Sequence, residues 1–107
     1  KAPAFGVPAK SLKSKVFISS EEQNGQFYVR LRVEDAPGVL STLTTVLKDV
    51  EVSVDSMLQR GHADEGGVFI VFTTHRTKTR AIKMALEEMT KLSVVLDQPA
   101  LIRIEQL

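Results

Sequence analysis

Five consecutive apolar residues, Val68-Phe69-Ile70-Val71-Phe72, limit the possible folds of this chain more than any other segment. In an extended strand successive side chains point to opposite faces, so this segment is apolar on both of them. Each face of such a strand needs a covering layer that excludes water. The segment therefore predicts a strand inside a layered sheet.

The rest of the chain shows three more strand patterns and two helical ones. Apolar and polar residues alternate over residues 26–34, which predicts a strand with one buried face, and residues 52–60 and 100–105 are also predicted as strands. Apolar residues recur at helical spacing over residues 39–50 and again from Thr77, which predicts two amphipathic helices. The predicted order of elements is therefore βαββαβ.

This order is typical of the ferredoxin-like α+β fold, a four-stranded antiparallel sheet with both helices on one face. Right-handed crossovers place the first and third strands in the centre of the sheet. On the face away from the helices, the first strand offers Tyr28, Arg30 and Arg32, whereas the third offers apolar side chains. We expect another copy or another domain to cover part of this face.

The length of 107 residues allows one domain with a two-layer core, and too little chain remains for separate nucleotide and substrate domains. Fourteen Lys and Arg against 13 Asp and Glu give a net charge of +1, which provides no general attraction to nucleic acid or to an anionic membrane. Residues 1–20 carry four Lys and no acid. We expect residues 1–25 to be a connector and residues 26–107 to be the folded domain.

The composition also excludes several kinds of site. Cysteine is absent, so disulfides, thiolate nucleophiles and Cys-type zinc sites are excluded. The chain has no long apolar run and no signal-peptide pattern, so we expect a soluble, cytoplasmic protein. Because it begins with Lys1 and not with Met, we expect a piece of a longer protein.

Catalytic and cofactor patterns are also missing. His62 and His75 lie at opposite ends of one predicted strand and cannot easily share the role of a base. His62, Asp64 and Glu65 lack further ligands to complete a metal site. Residues 61–66 have phosphate-loop spacing of Gly, but the Lys and the Ser or Thr that must follow are absent. We therefore predict no catalytic residue, no metal and no cofactor in this chain.

The predicted fold also occurs in RNA-binding domains, in which aromatic residues of the two central strands stack on bases. Tyr28 together with Arg30 and Arg32 fits such a surface, but Phe69 and Phe72 are three residues apart and point to opposite faces. RNA binding therefore stays an alternative to the expectation of no nucleic acid.

The candidate site is the turn between the first strand and the first helix, Asp35-Ala36-Pro37-Gly38-Val39-Leu40. Asp35 is the predicted N-cap of the helix, with Pro37 in its first turn. Gly38 lets a ligand approach the main chain, and the free amides of a helix start favour a carboxylate. Asp35 could hold an ammonium group. The turn therefore suits a free amino acid, although a capped helix start without a ligand fits it too.

Three segments of the chain resemble the ACT domain, a small-molecule-sensing module of amino-acid metabolism. They are residues 32–40, 52–59 and 72–75. The tail over residues 94–105 and the leader over residues 5–13 are similar, more narrowly, to the C-terminal ACT domains of the homoserine dehydrogenase family.

The resemblance implies a parent enzyme that interconverts aspartate semialdehyde and homoserine with NAD(P)H, with none of that chemistry in this chain. It implies threonine as a feedback inhibitor, bound between the turn of one ACT copy and the second strand of a neighbouring copy. A purely structural dimerisation domain without an effector is the alternative within this family.

The same resemblance implies the residues that contact the effector: Asp35, Ala36, Pro37, Gly38, Val39 and Leu40, and more weakly Ser53, Asp55, Ser56 and Gln59 across the interface. ACT domains often have Gly just before the second strand, where it forms a left-handed helix cap. This chain has Val50-Glu51 there. We therefore expect the first helix to end differently.

Overall fold

The computed structural model describes residues 20–104. Most of the expected connector, as well as Glu105 of the last predicted strand, lies outside the described residues. The helices are a short 3-10 helix (Ser20–Glu22), α1 (Val39–Asp49) and α2 (Thr79–Thr90). The strands are β1 (Asn24–Val33), β2 (Val54–His62), β3 (Val68–Thr74), β4 (Thr77–Lys78) and β5 (Ala100–Ile104).

The main strands form one antiparallel sheet in the order β2-β3-β1-β5, and the short β4 pairs with the beginning of β1. The predicted βαββαβ order, with the first and third main strands in the centre, is confirmed. Thr77 was expected to begin the second helix, but it pairs with Gly25 in β4. α2 begins at Thr79, whose amide and hydroxyl both donate to the carbonyl of Gln23.

The core lies between the sheet and the two helices. Alternate residues of β1 point into it, and α1 and α2 each bury one apolar stripe against the sheet. Within residues 20–104, neither helix has the length and apolar character that a membrane span requires. The largest side chains in this core, all nearly inaccessible to solvent, are Phe72, Leu31, Leu43, Leu47, Ile70, Ile82 and Met89.

The helix α1 begins at a glycine and not at the predicted acidic cap. Gly38 is the N-cap, with φ of 83°, and no side chain caps the helix. Its carbonyl accepts hydrogen bonds from the amide and the hydroxyl of Thr42. The prediction of Asp35 as N-cap was wrong because the chain makes an extra turn through Pro37 and Gly38 before the helix starts.

At its C-terminal end, α1 has a left-handed cap although no glycine stands there. Glu51 has φ of 63°. Its amide donates to the carbonyl of Lys48, and the amide of Val52 donates to the carbonyl of Leu47, each at 2.9 Å. This is the hydrogen-bond pattern of a Schellman motif. The expectation of a different helix end was therefore wrong, because Glu51 adopts the conformation that usually requires glycine.

A left-handed conformation costs a residue with a side chain about 1 kcal/mol. We expect Glu51→Gly to remove this cost, offset in part by the greater freedom of glycine in the unfolded chain, so that the free energy of unfolding stays equal or rises by up to about 1 kcal/mol. The control Lys48→Gly lies in the same helix and should lower it by about 1 kcal/mol. Chemical denaturation measures both, and equal losses in the two variants would contradict this account.

Candidate functional site

A cavity of about 280 Å³ opens where β1 ends and α1 begins. Gln59 of β2 forms part of its wall, and apolar residues of β1 and β3 also contribute. Pro37 does not line it. The structure thus brings together five of the six predicted turn residues and one of the four weaker candidates. The lining residues are Val33, Glu34, Asp35, Ala36, Gly38, Val39, Leu40, Ser41, Gln59, Val68 and Ile70.

The turn that forms the rim of this cavity is held by its main chain. The amide of Glu34 donates to the carbonyl of Val94, and the amide of Ala36 donates to the carbonyl of Glu34. No side chain caps α1. The first amides of the helix, including those of Val39 and Leu40, therefore lack the partner that a Ser or Asp cap supplies. The helix start offers amide donors beside the cavity.

Two acidic residues line the cavity, Glu34 and Asp35. The side chain of Asp35 is exposed, and its Oδ2 lies 3.5 Å from Nε2 of His62. Sequence reasoning missed this contact, although the strand register contains a signal for it. His62 pairs with Val68, and Val68 pairs with Val33, so these three residues form one row across the sheet. The row places His62 at the same end of the sheet as the turn.

The other weaker candidates lie toward the opposite end of β2. Asp55 Oδ1 is 3.7 Å from His75 Nε2, and the Ser56 hydroxyl is hydrogen-bonded to that of Thr73 at 2.8 Å. The carbonyl of Ser53 accepts the amide of His75. None of the three predicted residues lines the cavity of its own chain. Irregularities in the pairing after Val54 and after Gln59 interrupt the alternation of β2, and they could not be predicted from its sequence.

Arg32, next to the cavity, forms hydrogen bonds to two other segments of the chain. Its Nε and Nη2 donate to the two carboxylate oxygens of Asp97 at 2.6 and 3.1 Å, and its Nη1 donates to the carbonyl of Gly66 at 2.8 Å. Its own carbonyl accepts the amide of Leu96. One side chain thus joins the end of β1 to the β2–β3 turn and to the segment before β5. The hydrogen bonds from Arg32 lower the pKa of Asp97 below its ordinary value.

Among the described residues, no three His, Cys, Asp or Glu side chains come close enough together to hold a metal ion. The lining of the cavity comprises two carboxylates, an amide side chain, main-chain donors and an apolar wall. These groups match an ammonium group, a carboxylate and a small apolar side chain.

The lowered pKa of Asp97 predicts a pH-dependent contribution to stability. That contribution is complete above the ordinary value of 3.8 and is lost as the pH falls through the lower value of the folded protein. We expect Asp97→Asn to be less stable than the unmodified chain at about pH 6, and the difference to shrink as the pH falls below 3.8. Thermal unfolding across this range is the measurement, and a difference that persists in acid would refute it.

Two neighbouring glycines give a matched test of how the β2–β3 turn packs against the end of β1. Gly66 and Gly67 both have positive φ, but a Cβ on Gly67 would lie 2.3 Å from the Val33 carbonyl oxygen, whereas one on Gly66 would meet no atom within 4 Å. We expect Gly66→Ala to cost about 1 kcal/mol and Gly67→Ala about 1–3 kcal/mol more. Denaturant titration measures the free energy of unfolding of both variants. Equal losses would show that the turn can move to accommodate the added Cβ.

A family model for the ACT domain matches residues 27–92. The homoserine dehydrogenase of Helicobacter pylori is 35% identical over 85 residues, which cover 79% of this chain and 20% of that protein. The homoserine dehydrogenase of Neisseria gonorrhoeae is 26% identical over 107 residues, covering 100% of this chain and 25% of that protein. The chain thus spans a fifth to a quarter of the length of these relatives.

Two solved structures show the same fold. A homoserine dehydrogenase from Thiobacillus denitrificans has a TM-score of 0.76 and 31% identity, covering 88% of this chain and 20% of that one. The ACT domain from the GTP pyrophosphokinase of Chlorobium tepidum has a TM-score of 0.56 and 15% identity, covering 77% of this chain and 100% of that one. The second likeness concerns the fold alone.

Proposed function

The chain belongs to the ACT domain family, and from this membership we propose that it is the amino-acid-sensing, regulatory part of a homoserine dehydrogenase. The effector of this proposal is free threonine, which inhibits the enzyme as an end product. The observation that carries the proposal is a single cavity on which the carboxylate of Asp35 and the uncapped start of α1 meet. A free amino acid needs an acceptor for its ammonium group and donors for its carboxylate.

Each group of the ligand has a matching part of the cavity. The ammonium group pairs with Asp35, and the carboxylate accepts from the first amides of α1. The methyl group of threonine packs against Val68 and Ile70, while the side-chain amide of Gln59 forms a hydrogen bond with the threonine hydroxyl. A volume of about 280 Å³ lies just below the usual range of small-molecule pockets, which favours a ligand of this size.

The proposed parent enzyme interconverts aspartate semialdehyde and homoserine with NAD(P)H, and residues 1–25 connect its catalytic portion to the ACT domain of residues 26–107. The described residues do not fit a dinucleotide. All their strand pairs are antiparallel, and the turn before α1 has one glycine where a dinucleotide fingerprint needs three. The cofactor therefore belongs to the catalytic portion, and this chain contributes regulation.

Regulation in this proposal requires a second ACT copy. β2 is an edge strand, and seven of its nine residues are exposed, all except Val54 and Met57, so a neighbouring copy can approach along it. Ser53, Asp55 and Ser56 would then contact the effector bound at the turn of the neighbour. Threonine must favour one arrangement of the pair, and a coupling free energy of about 1–3 kcal/mol gives roughly 5- to 150-fold inhibition.

The exposed edge of β2 also favours a second candidate function, a dimerisation module that binds no effector. A thermal-shift screen of the 107-residue chain against the twenty amino acids separates the two. We expect threonine alone to raise the melting temperature, since a ligand at 100 times its Kd adds about 2.7 kcal/mol of stability. No shift with any amino acid, together with a concentration-dependent dimer, would replace regulation by the structural role. Oligoribonucleotide binding that weakens steeply with salt would favour the RNA alternative.

The carboxylate end of the site is tested at Gly38, where an added Cβ meets no atom within 4 Å. We expect Gly38→Asp to abolish threonine binding, because its charge repels the ligand carboxylate. Gly38→Asn is the matched control: it bears the same strain at φ of 83°, has nearly the same size and carries no charge. It should keep most of the affinity. Calorimetric titration measures both variants, and unchanged binding by Gly38→Asp would remove this turn from the site.

A further inference from the structure

The sheet face opposite α1 and α2, called the open face below, is a second surface with a distinct composition. The register of β1 and β3 places Tyr28 beside Thr73, Arg30 beside Val71 and Arg32 beside Phe69. The two outer strands, β2 and β5, add further side chains to these rows across the sheet. Leu58 of β2 pairs with Val71, and Ile102 of β5 pairs with Tyr28. The open face therefore carries aromatic, aliphatic and arginine side chains on all four main strands.

A groove of about 260 Å³ lies in this face, lined by Tyr28, Arg30, Arg60, Phe69 and Val71. The guanidinium carbon of Arg30 lies 5.1 Å from the centre of the Phe69 ring, a cation–π contact. Two large apolar side chains on the flanking strands are strongly exposed, Leu58 at 45% and Ile102 at 56%. Arginine and aromatic residues at the centre of an apolar patch are the usual composition of a protein–protein contact.

The arginines of the open face differ in how they are paired. Arg32 is 14% exposed and is engaged by Asp97 and by the carbonyl of Gly66. Within residues 20–104, neither Arg30 nor Arg60 has an acidic partner among the ion pairs found there. Two cations without a counter-charge therefore border the same groove. A carboxylate of a binding partner would complete it.

These charges argue against two other occupants. In a two-fold, face-to-face pair of copies whose axis passes through this groove, Arg30 and Arg60 would meet the same cations of the other copy, and juxtaposed like charges disfavour such a contact. Single-stranded nucleic acid needs a groove with many cations and freely accessible rings. Here Arg30 lies over Phe69, Arg32 is already paired, and the whole chain has a net charge of only +1.

We propose that the open face docks a carboxylate-bearing, otherwise apolar surface of the catalytic portion of the same longer protein. A carboxylate lies in the groove shared by Arg30 and Arg60, and apolar side chains cover Leu58 and Ile102. The inference rests on the proposed function in one respect, namely that this chain is part of a longer enzyme. Its relatives are four to five times as long as the matched part, and so contain ample surface for this contact.

Arginine labelling with phenylglyoxal, followed by mass spectrometry, tests the contact in the full-length protein and in the 107-residue chain. We expect Arg30 and Arg60 to react about tenfold more slowly in the full-length protein, as for a docked form that is about 90% populated. Arg76 lies outside the open face, is exposed, and is the internal control that should react equally in both. If each of the three arginines reacts at the same rate in the full-length protein as in the 107-residue chain, the proposal is overturned.

Variants of the full-length protein separate this contact from a general change of charge. Arg30→Glu should restore fast labelling of Arg60, whereas Lys48→Glu, an equal change of charge on the outer side of α1, should not. Arg30→Gln is a milder variant that should give a partial restoration. Circular dichroism checks that each variant is folded. Continued protection of Arg60 in both Arg30 variants would contradict the shared groove.

The remaining outcomes identify the other occupants. If Arg30 of the 107-residue chain becomes more protected as the concentration of that chain rises, the open face is assigned to a second copy. Slow labelling only when oligoribonucleotide is added would assign it to RNA. Either result overturns the proposal. Threonine titration of the same samples is read separately, so that loss of effector binding with intact protection would refute the proposed effector and leave the docking contact standing.

Discussion

The antiparallel pairing of β1 with β3 is the contact on which the rest of the structure depends. Residues 28–33 and 68–73 are in continuous register. Because side chains alternate along both strands, this one pairing creates a buried face for the two helices and an open face on the other side. It also places Val33 next to Val68, where the end of β1 meets the start of β3. The cavity floor thus results from the same register as the core.

Arg32 joins the open face to the two segments that border the end of β1. Its side chain belongs to the open face, yet its hydrogen bonds reach the β2–β3 turn and the segment before β5. Its neighbour Val33 is buried and borders the cavity. Adjacent residues of one strand therefore lie on the open face and at the proposed effector site. Any shift of β1 along its axis would act on both, which is a suitable arrangement for a regulatory module.

The sequence pattern predicted those elements whose cause is local. Alternation over residues 26–34 and helical spacing over residues 39–50 both correspond to observed elements, because each pattern reflects burial against a single layer. The errors arose where tertiary contacts decide. Thr77 pairs with Gly25 instead of starting α2, and Glu51 takes a conformation that its residue type disfavours. The approach of His62 to Asp35 depends on a strand register that sequence alone does not specify.

The cavity is lined only by residues between Val33 and Ile70, whereas β5 pairs with the first half of β1 from the far end of the described chain. Closing the long connection to β5 is entropically costlier and slower than forming the β2–β3 hairpin. The rim is an exception, because the amide of Glu34 donates to the carbonyl of Val94 in the segment before β5. The residues that line the cavity are thus brought together early in the chain, but the turn is held in place only once this last segment has folded, so the shape of the cavity reports on the completion of the whole sheet.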